Sequence, residues 1–150
     1  PELDALVCVT LRNELPDIPI QHWKLVPQRV VAGIGCRRDT PFPLLAALLA
    51  RQLEAQRFDP LALKAIGSVS LKKDEEGLIQ LASCWRVPFE TFTADALREH
   101  EHHFPASPFV RQTVGVGSVS GPAAWLLSHG QLTGETLREQ GVTITLGVSH

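Results

Sequence analysis

The chain has 150 residues, 44% of them apolar and 20% charged, with 14 Lys and Arg against 16 Asp and Glu for a net charge of −2. This is the composition of a globular domain and not of a disordered segment, and at roughly 150 residues per domain the length suits one. The slightly acidic balance gives no support for general electrostatic binding of nucleic acid, which normally shows as a basic domain, and no apolar run approaches the ~18 residues of a membrane span.

Two features of composition set expectations before any element is placed. There is no methionine, even at position 1, so Pro1 is read as the start of a processed chain or of a piece of a longer protein. The first residues mix Glu2, Asp4, Arg12, Glu14 and Asp17 into apolar sequence, unlike a signal peptide. Cys8, Cys36 and Cys84 are odd in number and widely spaced, which fits neither a disulfide framework nor a zinc module. Free thiols point to a reducing compartment, so a cytoplasmic location is expected.

In chain order, Leu3–Thr10 reads as a short buried strand. Residues 11–28, with Pro16, Pro19 and Pro27, read as an extended linker, so residues 1–28 are assigned to the tail of a preceding region and residues 29–150 to the domain. Arg29–Gly35 is a continuous apolar run, as expected for a strand covered on both faces. Thr40 is the expected N-cap of a helix on which Leu44, Leu45, Leu48, Leu49 and Leu53 recur at helical spacing. Asp59-Pro60 opens a shorter helix and Ile66–Leu71 forms a second strand. Asp74 caps a helix that buries Leu78, Leu81, Ala82 and Trp85. Pro88–Phe92 is a strand, and Thr93 caps a helix reaching Leu97. His100–Pro105 is a polar loop, Ser107-Pro108 opens a helix ended by Gly115, and Ser120 caps a helix over Pro122–Ser128 ended by Gly130. Val142–Val148 closes the chain as a strand. Alternating strands and helices predict an α/β fold: a three-layer single domain with a mostly parallel or mixed sheet.

Four motifs carry candidate chemistry. In Gly33-Ile34-Gly35-Cys36-Arg37-Arg38, glycines at a strand end expose amides to an anion, and two arginines suit carboxylate or phosphate. The bland alternative is a tight turn with solvated arginines. Arg38 stands where a dinucleotide fingerprint needs a small residue, and no GxxxxGK[ST] loop is present, so neither NAD nor a nucleoside triphosphate is expected. In Lys72-Lys73-Asp74-Glu75-Glu76-Gly77-Leu78, lysines beside acids form an acid–base or ion-pair site, or else a solvated helix start. In Val116–Ala124, small residues allow close backbone approach to an anion, or else tight helix–sheet packing. His100-Glu101-His102-His103 lacks the HExxH spacing and is read as a solvated loop rather than a metal site. Cys36 has no base positioned by motif and is read as structural.

In order and separation, VVAGIGCRRDT, LKKDEEGL, VGSVSGPAAWLL and VTITLGV resemble the C-terminal domain of the cobalt-precorrin-5A hydrolase family of anaerobic cobalamin biosynthesis, to which a single-domain aerobic-pathway protein is related. The resemblance runs from about Arg29 to His150. It implies an α/β domain whose ligand is a cobalt-precorrin tetrapyrrole, and a parent enzyme that opens the ring-contraction lactone and releases acetaldehyde. It implies no cofactor and no separate metal site, because cobalt enters as part of the substrate. The family pattern falls on Gly33, Gly35, Cys36 and Arg37, then on Lys72, Glu75, Gly77 and Leu78, then on Gly115, Ser118, Val119, Ala123 and Ala124. It departs where the family has Gly near Asp39, Pro near Glu76 and Glu at Gly121. Lys72 and Glu75 are the candidates for polar chemistry, Lys72 steadying a carboxylate or developing oxyanion and Glu75 positioning water or Lys72. Gly33, Gly35, Cys36, Arg37, Arg38, Lys73, Arg111, Ser118 and Ser120 are the candidate substrate-binding set. Expected partners are an N-terminal domain of the parent chain and a second copy in a homodimer, with no nucleic acid and no membrane. The rival reading is a non-catalytic corrinoid-binding, chaperone or dimerisation module.

Overall fold

The computed structural model describes Leu6–Val9, His22–Leu25 and residues 27–103 and 119–149. Strands β1 (Leu6–Val9) and β2 (His22–Leu25) pair in parallel as a two-stranded sheet. The stretch read as linker therefore contains a strand. Its prolines, Pro16, Pro19 and Pro27, flank His22–Leu25 without interrupting it, which is where a ladder tolerates them.

The main sheet has the order β5-β4-β3-β7-β6, from β3 (Val30–Gly35), β4 (Leu63–Val69), β5 (Phe89–Phe92), β6 (Leu132–Glu139) and β7 (Val142–Val148). β3, β4 and β5 are mutually parallel, while β7 runs antiparallel to both β3 and β6. The sheet is thus mixed, one of the two forms expected. β6 was not legible in the sequence: LTGETLRE has few apolar residues because it is an edge strand, half-exposed to exposed along its length. The turn joining it to β7 is Gln140-Gly141, both at positive φ (51° and 81°). This is the backbone of a tight hairpin turn, but with Gln in place of the usual Asn or Asp.

Helices α1 (Phe42–Ala55) and α2 (Glu76–Trp85) cover one face of the sheet. Ala32, Ile34, Ile66, Ile144 and Leu146 pack there with Leu45, Leu48, Leu49 and Leu53 of α1 and Leu78, Leu81 and Ala82 of α2. Trp85, expected on that buried face, is only half-buried; its indole N–H donates to Pro60 O at 3.0 Å. Alternation along the strands sends Gly33, Gly35, Gly67 and Gly147 to the other face. There α4 (Ser120–Ser128) lies against the backbone, and α3 (Ala94–Arg98) packs beside it through Leu97. A Cβ at Gly33 would strike Ser120 O and lie 2.5 Å from Ala124 N; one at Gly67 would lie 2.7 Å from Leu127 Cδ1. Helix, sheet and helix make the expected three layers.

The capping assignments divide. Thr93 caps as expected, accepting from Ala96 N (3.1 Å); Asp59, expected to open a shorter helix, accepts from Leu61 N (2.8 Å) but precedes only a 3-10 turn, Pro60–Ala62. Thr40 does not cap α1: Pro41 holds that position, and the Thr40 hydroxyl donates to Arg37 O at 2.6 Å, closing the preceding turn instead. Asp74 does not cap α2, whose N-cap position is Glu75, with no side-chain bond to the helix. Ser120 is inside α4 and not at its cap, because Val119 stands there. The helix expected from Ser107-Pro108 to Gly115 lies outside the described residues.

The Gly33–α4 contact predicts the behaviour of one variant. Gly33→Ala meets backbone atoms, not a flexible side-chain end, and overpacking of this kind costs about 3 kcal/mol. The expected outcome is a matching drop in the denaturant midpoint at unchanged m-value, read by equilibrium urea unfolding.

Candidate functional site

The carboxyl ends of β3 and β4 open one end of the sheet, where ligands of α/β folds are commonly met. Because β7 pairs antiparallel with β3, Thr143 opposite Gly35, the β6–β7 turn falls at this same end. Val119, just before α4, also reaches it: a Cβ on Gly35 would lie 3.4 Å from Val119 Cβ. Three loops and a helix start therefore converge.

The loop after β3 is a closed turn. Thr40 N donates to Arg37 O at 3.3 Å alongside the hydroxyl bond, and Asp39 takes a left-handed conformation, φ 61°. Its amide then points to α2, where Asp39 N donates to Glu75 Oε2 at 2.5 Å. The other carboxylate oxygen lies 4.0 Å from Lys72 Nζ, and both side chains are largely enclosed, 12% exposed for Lys72 and 11% for Glu75. Gly77 completes the fit, since a Cβ there would lie 2.5 Å from Thr40 O. Arg38, Asp39, Thr40, Leu71, Asp74 and Glu75 line an open cleft of about 660 Å³.

Cys36 borders this cluster, half-buried, with its thiol hydrogen-bonded to Thr40. Burial pushes the Cys36 thiol up from its ordinary value; the Lys72 charge and the Thr40 bond draw it down, and the Glu75 charge opposes them. Burial dominates, and it disfavours the thiolate that a nucleophile needs.

The sequence candidates separate into groups. Lys72, Glu75 and Cys36 are brought together, and of these Glu75 shares the cleft wall with Arg38. Arg37 turns instead across the β6–β7 hairpin, where a Cβ on Gly141 would lie 3.0 Å from its Nε. Gly33 sits within the sheet beneath α4, and Gly35 ends the strand against Val119 and Thr143. Lys73 is exposed after the 3-10 turn Ser70–Lys72. Ser120 is buried, 2% exposed, and accepts from the Thr145 hydroxyl at 3.2 Å, which in turn meets Thr136 at 2.6 Å. Arg111 and Ser118 lie outside the described residues. Thr40 and Asp39 were missed as members of the site. The signal was the departure from Gly near Asp39, which marks a left-handed position.

The other departures also find a place. Glu76 is the first residue of α2, a position where proline is well tolerated. Gly121 is buried in the first turn of α4. His100–His103, expected as a solvated loop, includes the 3-10 turn Glu101–His103, and His103 stacks on Trp125 with ring centroids 4.2 Å apart. Among the described residues no cluster of His, Cys, Asp and Glu has the arrangement of a metal site, and no helix is long and apolar enough to cross a membrane.

Comparison with known proteins gives this geometry its context. Residues 30–147 match the family model of the cobalamin synthesis G C-terminus. The chain is 85% identical over 150 residues to the cobalt-precorrin-5A hydrolase of Salmonella typhimurium, covering all of this chain and 43% of that protein. It is 30% identical over 123 residues to the cobalt-precorrin-5A hydrolase of Priestia megaterium, covering 82% of this chain and 32% of that one. The chain thus spans less than half the length of these curated relatives. The crystal structure of CobE, a protein from the cobalamin (vitamin B12) biosynthetic pathway, matches with a TM-score of 0.75 at 31% identity, over 81% of this chain and 91% of CobE. A cobalamin biosynthesis protein from Agrobacterium tumefaciens shares the fold, with a TM-score of 0.62 at 22% identity over 80% of this chain and 98% of that one.

Two predictions follow from the cluster. Asp39→Gly, which suits the left-handed backbone, leaves stability unchanged or slightly raised, whereas Asp39→Val lowers it by about 1–2 kcal/mol in thermal or urea unfolding. In mass-mapped alkylation, the pH profile of Cys36 lies above that of a free small thiol. Lys72→Met removes a charge that lowers the thiol and shifts the profile further up; Glu75→Gln removes one that raises it and shifts the profile down.

Proposed function

Because the chain belongs to the cobalamin synthesis G C-terminal family, we propose that it acts as the C-terminal part of a cobalt-precorrin-5A hydrolase. In this reading it helps to open the ring-contraction lactone and to release the two-carbon unit as acetaldehyde, giving cobalt-precorrin-5B. The observation that carries the reading is the 85% identity along the whole chain to the Salmonella typhimurium protein of that name. Water is the second substrate, and cobalt arrives inside the macrocycle. The site needs no resident metal for this, and the partner of the domain is the N-terminal domain of the same enzyme.

The chemistry of the cleft supports the reading in a specific way. Water adding to a lactone carbonyl places negative charge on its oxygen, and a fixed cation beside that oxygen lowers the barrier. Lys72, enclosed and 4.0 Å from the carboxylate of the cleft-lining Glu75, is the cation assigned this role in this reading. A precorrin also carries acetate and propionate arms, and the guanidinium of Arg38 at the cleft wall suits a carboxylate through paired N–H donors. The same wall carries Asp39, Asp74, Glu75 and Glu76, so the cleft lining is predominantly acidic and Arg38 is its cation. A polyanion is met here at single cations and not over a basic surface.

One observation favours a second reading. The chain covers 91% of CobE, so a domain of this size also occurs almost by itself, which suits a module that binds a corrinoid and passes it on without turnover. The two readings part on one measurement. Lys72→Met in the full-length chain lowers acetaldehyde release at least about tenfold, roughly 1.4 kcal/mol of transition-state stabilisation, if this domain takes part in the chemistry. Full turnover in that variant assigns the domain to binding alone.

A further inference from the structure

We propose that Glu75 is a positioning residue for Arg38, setting the turn that aims this guanidinium at a carboxylate arm of the ligand. The proposal rests on the reading of that ligand as a polycarboxylate macrocycle. Arg38 is exposed and follows Arg37 in the turn, and a long side chain there has no direction unless its backbone is fixed. Two contacts from the start of α2 fix it. The Glu75 carboxylate accepts the Asp39 amide at 2.5 Å, holding the left-handed residue next to Arg38, and the missing side chain of Gly77 lets Thr40 O settle against the helix. Glu75 is itself anchored: its amide donates to Lys72 O at 3.0 Å, its carbonyl accepts from Ile79 N at 3.1 Å, and Lys72 Nζ stands 4.0 Å from its second oxygen. The carboxylate is therefore committed to backbone and cation.

Charge and reach act in opposite directions here, which makes the role separable. The negative charge of Glu75 repels an anionic ligand, so removing the charge alone does not weaken binding. Removing the acceptor releases the Asp39 amide from α2, so the turn, still closed by Thr40 on Arg37, loses its tie to the helix and Arg38 must then be ordered at the moment of binding. A general base at this position behaves otherwise, because loss of charge alone abolishes turnover.

The test is equilibrium titration of the full-length chain with cobalt uroporphyrin, a stable polycarboxylate macrocycle. It is paired with hydrogen exchange at the Asp39 amide. Glu75→Ala weakens binding about tenfold and exposes the amide to exchange, as expected when an ordering cost is added. Glu75→Gln, whose side-chain oxygen still accepts from Asp39 N, recovers most of the affinity and protection. Glu75→Asp keeps the charge but loses reach and behaves like Glu75→Ala, which keeps the test decisive should the alanine variant fail to fold. In an Arg38→Ala background the Glu75 substitutions have no further effect on affinity. An undiminished Glu75→Ala effect in that background, or affinity unchanged when the amide loses protection, overturns the proposal. Failure of the unaltered chain to bind the probe also overturns it, while acetaldehyde release by the same chain decides separately whether the hydrolase reading stands.

Discussion

The close approach of α4 to the sheet is the constraint on which the rest of the structure depends. Gly33 has no side chain because its Cβ position is filled by the backbone of Ser120 and Ala124, and Gly67 and Gly147 give the same clearance to Leu127 and Ser128. A helix this near a sheet must itself be small and buried, and Ser120, Gly121, Pro122, Ala123 and Ala124 are all buried. The polar groups caught between them satisfy one another, Thr145 donating to Ser120 and meeting Thr136. The helix start is thereby drawn against the end of β3, with Val119 close to Gly35.

The opposite face is an ordinary apolar core, in which α1 and α2 supply leucines to Ala32, Ile34, Ile66, Ile144 and Leu146. The candidate site depends on both faces. α2 starts where Gly77 meets the β3 loop, and the carboxylate of Glu75, two residues before that glycine, is consumed in holding Asp39. The motif Lys-x-x-Glu-x-Gly-Leu thus has a structural meaning for each member: Lys72 faces Glu75, Glu75 faces the loop, Gly77 allows contact and Leu78 is buried. Gly33, read as part of an anion cradle, has its Cβ side filled by the backbone of α4, and Gly35 ends β3 against Val119 and Thr143.

Legibility followed how locally each signal is encoded. The apolar runs of β3 and β7 and the leucine spacing of α1 are set by burial on a fixed period, so they can be read residue by residue. β6 could not be read, because an edge strand needs little apolar sequence and its pairing partner is supplied by β7. Thr40 and Asp74 look like helix caps in isolation. Thr40 instead bonds back to Arg37, and α2 starts at Glu76, after Glu75, whose carboxylate turns away from its own helix to a loop 36 positions earlier.

What the sequence determined by itself was the fold class, the two-faced glycine strand, the order of motifs and the family they resemble, because periodicity and motif order are properties of the chain. Only the tertiary structure decided which residues meet. It sent Arg37 to the hairpin turn and Arg38 to the cleft, buried Ser120, and joined Glu75 to Asp39. The physical reason is that neighbouring residues of a tight turn point in different directions, and the partners that meet them, the β6–β7 hairpin for Arg37 and the start of α2 for Asp39, lie far away in the sequence.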